Sequence, residues 1–386
     1  MAVEKMIFNE FQPTIWNRFL RAKSNNRVGS AYLFSGPKGC GKEWGAIEFA
    51  KLLNCENIGE ISCNHCPSCV QFIGLQHPNL KLIVPLPRSQ KSDQSSNPLN
   101  ALKKEDLEYL CHAIAGKGMD PFLKIHVPNA RRITINSIRD LRRTIYLKSQ
   151  SSGKKVVLIF DAHLLSEGMG ESANALLKIL EEPPNNTILI LVTDKKSALL
   201  PTIISRCQPI NFPALSLDKT RLILENNGID NAKAIQIAMV VKGDIHLARE
   251  IADQSRGEII NEAEALVNLM IRVDEKGWRE FIDSNAMLAA RKTEEFKFKI
   301  YLLQLWFHQA YSLRTGETMN NILPGMAEAL QKFNEAYPQA DLAGINKLLE
   351  KTTESLIQNL YIPLTLTNLL ISAQELLKGK IPISVL

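Results

Sequence analysis

The sequence has no long apolar run. Its longest unbroken aliphatic or aromatic stretches, Val156 to Phe160 and Ile188 to Val192, are five residues each, against the roughly 20 residues of a helix that spans a bilayer. A membrane-spanning helix is therefore not expected. Nor is there a large excess of one charge: 46 Lys and Arg stand against 40 Asp and Glu, a net charge of +6. That balance permits a nucleic-acid partner without requiring one. Met1 to Glu10 holds acidic residues and lacks the apolar stretch of a secretory signal, so a cytoplasmic location is expected. A disorder-type composition is absent as well, with 45% apolar and 22% charged residues. What is there is enough chain for two or three domains, because 386 residues exceed the roughly 250–300 at which single cores stop growing. Seven cysteines, four of them between Cys55 and Cys69, in a chain with no secretory signal favour metal binding over disulfides.

From Ser30 to about Phe212 short aliphatic runs alternate with helical patterns. Ala31–Phe34, Lys81–Val84, Val156–Phe160 and Thr187–Val192 read as buried strands, which predicts a parallel sheet flanked by helices. Between Pro85 and Pro128 the pattern changes to an insertion: the polar run Arg88 to Asn97, read as a flexible tip, then a helical pattern over Leu99 to Ile114. A further helix is expected to start near Asn136, capped by that side chain, with Ile138, Leu141 and Ile145 on one face among Arg139, Arg142 and Arg143. After Pro213 helical periodicity takes over. The expected division is an α/β domain over 1–213, a small helical domain over 214–255 interrupted at Gly228 and Gly243, and an all-helical domain over 256–386 with long helices near Glu294–Leu313 and Leu342–Leu360.

Gly36-Pro-Lys-Gly-Cys-Gly-Lys42 follows a predicted strand and opens a predicted helix, the context of a P-loop. Gly36, Gly39 and Gly41 let backbone amides curl around phosphate oxygens, and Lys42 supplies a point charge. Glu43 stands where the motif needs a Ser or Thr hydroxyl for Mg²⁺, so binding of ATP or ADP stays open against a Gly-rich turn without a ligand. Asp161 ends a strand at the sheet edge where it would reach a P-loop metal. Ala162 follows it where an ATPase of this architecture has its glutamate base, and a methyl group accepts no proton. His163 is a weak substitute, since a shift of one residue along a strand redirects the side chain. Cys55, Cys63, Cys66 and Cys69, spaced C-x7-C-x2-C-x2-C, predict a closed structural Zn²⁺ site, with His65 and His77 as reserve ligands that are more simply solvated. Cys40, Cys111 and Cys207 read as small apolar residues. Arg206, in Ser205-Arg-Cys207, is placed where a guanidinium at the rim of one nucleotide domain can reach phosphates on a neighbour; taken alone it reads more simply as a solvated or carboxylate-paired surface arginine.

Taken in order, Gly36 to Lys42, the four-cysteine insert, Val156 to Asp161, Asn174-Ala-Leu-Leu-Lys-Ile-Leu-Glu-Glu-Pro-Pro184 and Ser205-Arg-Cys207 resemble bacterial clamp-loader subunits of DNA polymerase III, an AAA+ family. The resemblance covers residues 1 to about 255. It implies an α/β P-loop (AAA+) domain with a zinc-binding insert, a small helical lid, and a C-terminal collar through which a hetero-oligomeric ring is built. The departures at Glu43, at Ala162 and at His246, where motor subunits carry an arginine toward nucleotide, resemble the family's delta-prime branch. The resemblance thereby implies a non-catalytic subunit with no ATPase of its own. It would sit beside motor ATPase subunits and delta, donate Arg206 in trans as an arginine finger, and help load the sliding clamp on primed DNA. Two other readings compete with it: an active motor-type ATPase relying on Lys42 and Asp161, and a zinc-bearing DNA-binding module prompted by Arg131, Arg132, Arg139, Arg142 and Arg143, which lacks an aromatic platform. The stripe Phe298, Leu302, Leu305 and Trp306 suits a partner helix or, equally, the chain's own core.

Overall fold

A computed structural model describes residues 6–57, 59–87, 97–147, 151–168, 170–253, 259–272, 274–316, 322–323, 325–357 and 360–382. Five parallel strands form one sheet: β1 (Ala31–Ser35), β2 (Leu80–Ile83), β3 (Lys155–Ile159), β4 (Thr187–Thr193) and β5 (Gln208–Asn211), in the order β2-β3-β4-β1-β5. The first four are the strands expected from the apolar runs. β5 has the sequence Gln-Pro-Ile-Asn and buries only Ile210, so it offers no such run. Pro209 is tolerated because the strand lies at the sheet edge, where a missing N–H breaks no inner ladder.

Around the sheet lie α1 (Phe8–Phe11), α2 (Pro13–Ser24), α3 (Lys42–Asn54), α4 (Pro67–Ile73), α5 (Lys104–Met119), α6 (Ile135–Ile145), α7 (Glu171–Glu181) and α8 (Pro201–Ile204). Successive strand residues face opposite sides, and two cores result. Phe34, Leu158 and Ile190 join Phe49 and Leu52 of α3 on one face. Leu33, Ile159 and Leu191 join Ile138 and Leu141 of α6 and Leu176 of α7 on the other. On the α3 side the rings of Phe19 and Phe49 stack at 4.4 Å and those of Phe19 and Phe34 at 5.5 Å. This stack fixes α3, and with it the loop before the helix, against β1.

Helices α9 (Leu217–Asn226), α10 (Asn231–Val241) and α11 (Ile245–Asp253) follow. The chain divides into compact units at 1–251 and 252–386, and the stretch from 214 to 251 lies within the first. The second unit is all-helical: α12 (Ile259–Ile271), α13 (Glu275–Arg291), α14 (Thr293–Arg314), α15 (Ala327–Ala336), α16 (Leu342–Ile357) and α17 (Ile362–Leu377). There α14 lies against α12, α13, α15 and α16, and Phe298, Leu302, Leu305 and Trp306 are all buried. The stripe is used by the unit's own core. None of the described helices is long and apolar enough to cross a membrane.

Two local expectations are corrected. Thr134, not Asn136, caps α6: its Oγ1 accepts the Ser137 N–H at 3.3 Å while its backbone is extended, and the helix begins at Ile135. In the insertion, residues 88–96 of the expected flexible tip lie outside the described residues; beyond them come a short 3₁₀ turn, Pro98–Ala101, and α5. The helix runs past the expected end at Ile114 to Met119, which carries Lys117 onto it.

Replacing Phe49 by Ala removes the centre of the aromatic stack. The expected loss is about 3–5 kcal/mol, read as an earlier urea transition of the first unit by circular dichroism; an unmoved transition would show that the stack does not hold α3.

Candidate functional site

The loop from Gly36 to Gly41 joins β1 to α3, and its shape depends on its glycines. Gly39 and Gly41 have φ of 64° and 86°, a region that disfavours side chains. A Cβ on Gly39 would collide with Asp244 Oδ1 and the Ile245 amide at the start of α11, and one on Gly36 with the Phe212 carbonyl. The buried Gln12 side chain ties the loop from below, donating to the carbonyls of Cys40 at 3.0 Å and Pro213 at 3.2 Å. Lys42 does not reach outward. Its ammonium donates to the Gly36 carbonyl at 2.9 Å and the Pro37 carbonyl at 2.5 Å, and the residue is buried.

Beside this loop the insertion delivers two cations. Lys117 Nζ donates to Glu43 Oε2 in a close ion pair and lies 5.7 Å from the centre of the Phe160 ring; the Lys117 side chain is 1% exposed. Lys124 Nζ donates to Asp161 Oδ1 at 2.9 Å. Burial pushes the Glu43 carboxyl up, but Lys117 and Lys124 outweigh it and hold it below its ordinary value. Burial likewise pulls the Lys124 ammonium down, and Asp161, Glu43 and Asp194 together raise it above the ordinary value. Asp194, pushed up by burial, is brought low by Lys124, His163, Lys38 and Lys42. All three groups are therefore charged at neutral pH.

His163 is nearer this cluster than strand alternation predicts. Asp161 adopts φ 50° and Ala162–Leu165 form a 3₁₀ turn, so the two-residue alternation has already ended and the ring turns back inward. Its Nδ1 lies 3.1 Å from Thr193 Oγ1 and 3.6 Å from Asp194 Oδ1, and burial keeps the imidazole below its usual pKa. Ala162 is fully buried. His246, at the start of α11, is also lowered by burial against the pull of Glu43 and Asp244. The insertion is fastened to the same helix by Asp120, which accepts from Nη1 and Nη2 of Arg249. The Arg249 guanidinium lies 5.8 Å from the Phe122 ring centre, and Phe122 meets Trp44 edge-on at 5.3 Å. Sequence reasoning missed Lys117, Lys124, Asp120 and Asp194, because no motif marks them and a lysine in a helical pattern reads as solvated.

The four-cysteine cluster is local. Cys55, Cys63, Cys66 and Cys69 place their sulfurs within 4.8 Å of one another. Backbone amides already point at them: Cys63 N to Cys55 Sγ at 3.4 Å, Cys66 N to Cys63 Sγ at 3.3 Å and Cys69 N to Cys66 Sγ at 3.4 Å. Desolvation raises the Cys63 thiol, but hydrogen bonds from His65, Cys66 and Cys55 together outweigh it and bring it down to about 6. The donor set fits a structural zinc ion. Neither histidine joins it: His65 binds the Cys63 carbonyl at 2.7 Å. His77, expected to be solvated, is buried, hydrogen-bonded to Ser68 and stacked on Phe72 at 4.2 Å. Cys40 and Cys207 are buried as expected, whereas Cys111 is exposed on α5.

Arg206 stands apart from the cradle at the end of the α8 turn. It donates to Glu181 Oε1 at 2.8 Å and to the Thr202 carbonyl at 3.0 Å. The two side chains are 36% and 48% exposed, so the pair is screened and contributes about 0–1 kcal/mol.

Residues 11–216 match the family described as DNA polymerase III, delta subunit. The chain is 26% identical over 268 residues to the DNA polymerase III subunit delta′ of Bacillus subtilis (strain 168), 69% of this chain and 66% of that protein. It is 27% identical over 259 residues to the subunit delta′ of Pseudomonas aeruginosa, 65% of this chain and 64% of that protein. With the B. subtilis subunit tau it shares 29% identity over 266 residues, 66% of this chain but 38% of tau. The chain thus spans just under two thirds of the two delta′ relatives. Because the family match runs through the stretch that carries the cradle, the cysteine cluster and Arg206, and takes in more than half of the residues, the chain belongs to the DNA polymerase III delta-prime family of clamp-loader subunits.

Proposed function

We propose that the chain is a non-catalytic, delta-prime-like subunit of the clamp loader, working in the cytoplasm during DNA replication. It places Arg206 against ATP on a neighbouring motor subunit and helps seat the sliding clamp on primer-template DNA. The observation that carries this reading is the contrast between its two sets of charges. The groups of its own cradle are spent on one another, Lys42 on loop carbonyls and Glu43 and Asp161 on lysines. Arg206 is held by an exposed, screened glutamate and by one carbonyl of its own turn, that of Thr202, and can leave them at little cost. A guanidinium presented in this way to a partner's phosphates would neutralise charge that develops during phosphoryl transfer. In this reading the helical stretch after Pro213 divides into a lid over 214–255 and a collar over 256–386, and the collar joins the ring with the motor subunits and delta.

In a loader reconstituted with motor subunits and delta, Arg206→Ala is expected to lower DNA-stimulated ATP turnover by about tenfold or more, a modest share of the ~10³–10⁵ that arginine fingers supply in GTPases. The assembled complex should elute unchanged on gel filtration; full turnover in the intact ring would end the finger assignment. The motor reading, favoured by the likeness to tau and by the retained Lys42, makes the opposite forecast for the purified chain: brisk phosphate release that Lys42→Ala abolishes.

The cysteine cluster serves as a structural zinc knuckle. Purified chain should contain one zinc ion by atomic absorption, Cys66→Ser should lose it, and melting should fall by several degrees with the metal. Zinc content unaffected by that substitution would place the ion elsewhere.

A further inference from the structure

The insertion over 85–128 has no part in the finger reading, yet it reaches into the centre of the cradle. A magnesium nucleotide does not fit what it finds there. Glu43 replaces the hydroxyl that would hold the metal, and the close Lys117 ion pair already occupies it. Asp161, the carboxylate that would face the metal, is taken at 2.9 Å by Lys124. The cradle lysine is folded onto its own loop carbonyls, and Gly39 is pressed against the first residues of α11.

The charges explain why something must sit at this place. Three carboxylates, Glu43, Asp161 and Asp194, converge with two histidines at the carboxyl edge of the sheet. Asp161, His163 and Asp194 alone bring ligand atoms within 4.8 Å of one another. Asp194 Oδ1 is buried and receives no hydrogen bond. Three carboxylates only 11–15% exposed are costly to hold together without cations. Two ammonium groups carry the charge of one divalent ion, and the insertion supplies two.

We propose that the insertion is the built-in counter-cation of this site: Lys124 on Asp161 and Lys117 on Glu43 replace a divalent metal and, with Lys42 of the loop as the third cation, keep the degenerate cradle neutral and closed without nucleotide. The Asp120–Arg249 pair fastens the same segment to α11, so the insertion fills the cradle and also ties it to the helix that covers it. This deepens the non-catalytic reading and rests on it.

Removing the Lys124 charge should turn a closed site into a metal site, because Asp161, His163 and Asp194 form a hard oxygen–nitrogen set suited to Mn²⁺. The experiment titrates full-length, zinc-loaded chain with Mn²⁺, following free Mn²⁺ by electron paramagnetic resonance and thermal melting in parallel. Wild type and Lys124→Arg should bind no more than weakly. Lys124→Gln should bind Mn²⁺ at least tenfold more tightly, gain several degrees on melting with Mn²⁺, and lose both gains when Asp161→Asn is added. The proposal is overturned if wild type binds Mn²⁺ as tightly as Lys124→Gln, if folded Lys124→Gln gains nothing, or if the gain survives Asp161→Asn. A Lys124→Gln chain that folds only with Mn²⁺ supports it; one that stays unfolded with and without Mn²⁺ counts against it. None of these readouts involves ATP turnover or Arg206, so this inference can fail while the finger assignment stands, and the reverse.

Discussion

A carboxylate removed from water must meet a cation, and the first unit is arranged around that requirement. At the carboxyl edge of the sheet Glu43, Asp161 and Asp194 are drawn together by the ends of β3 and β4 and the start of α3. Removing Lys117, whose side chain is 1% exposed, from its pair with Glu43 costs about 3–5 kcal/mol, whereas Lys124, 38% exposed, is partly screened and contributes less. In a working P-loop the balance comes from the metal ion held there with the nucleotide. Here it comes from Lys117 and Lys124 of the chain's own insertion. The same segment fixes Phe122 against Trp44 and Asp120 against Arg249, so packing and charge balance are supplied together.

This division of charge separates two regions of one fold. The cradle is closed on itself, through a lysine that turns back onto its loop and two others that take the carboxylates. The rim is open, with Arg206 on a turn between α8 and β5 and an exposed glutamate as its only charged partner among the described residues. A subunit built in this way has a loosely held cation to offer a neighbour, while the cations of its own cradle are already engaged. The cysteine cluster is a third, independent element, whose sulfurs are organised by amides of their own turn.

The legible parts were those encoded locally. The inner strands appear as apolar runs because both of their faces are covered, and the four cysteines announce themselves by turn-length spacing. The loop glycines are dictated by the backbone they must adopt. Edge strand β5 was not legible, since Gln208 and Asn211 carry no apolar signal and Pro209 argues against a strand. Thr134 took the cap expected of Asn136 because the helix begins at Ile135, which puts Asn136 inside its first turn. The cations of the cradle were invisible for a different reason. Lys117 meets Glu43 across 74 positions and Lys124 meets Asp161 across 37, and pairs of that range have no spacing rule. The three motif departures at Glu43, Ala162 and His246 pointed to a reaction that had lost its parts, but not to what had taken their place.

The central claim is that the cradle is neutralised from within. It is tested most directly by titrating Mg²⁺-ADP and Mg²⁺-ATP into the purified full-length chain by calorimetry. The account predicts no saturable binding up to about 1 mM, a limit of roughly −4 kcal/mol; micromolar binding that disappears in Lys42→Ala would contradict it.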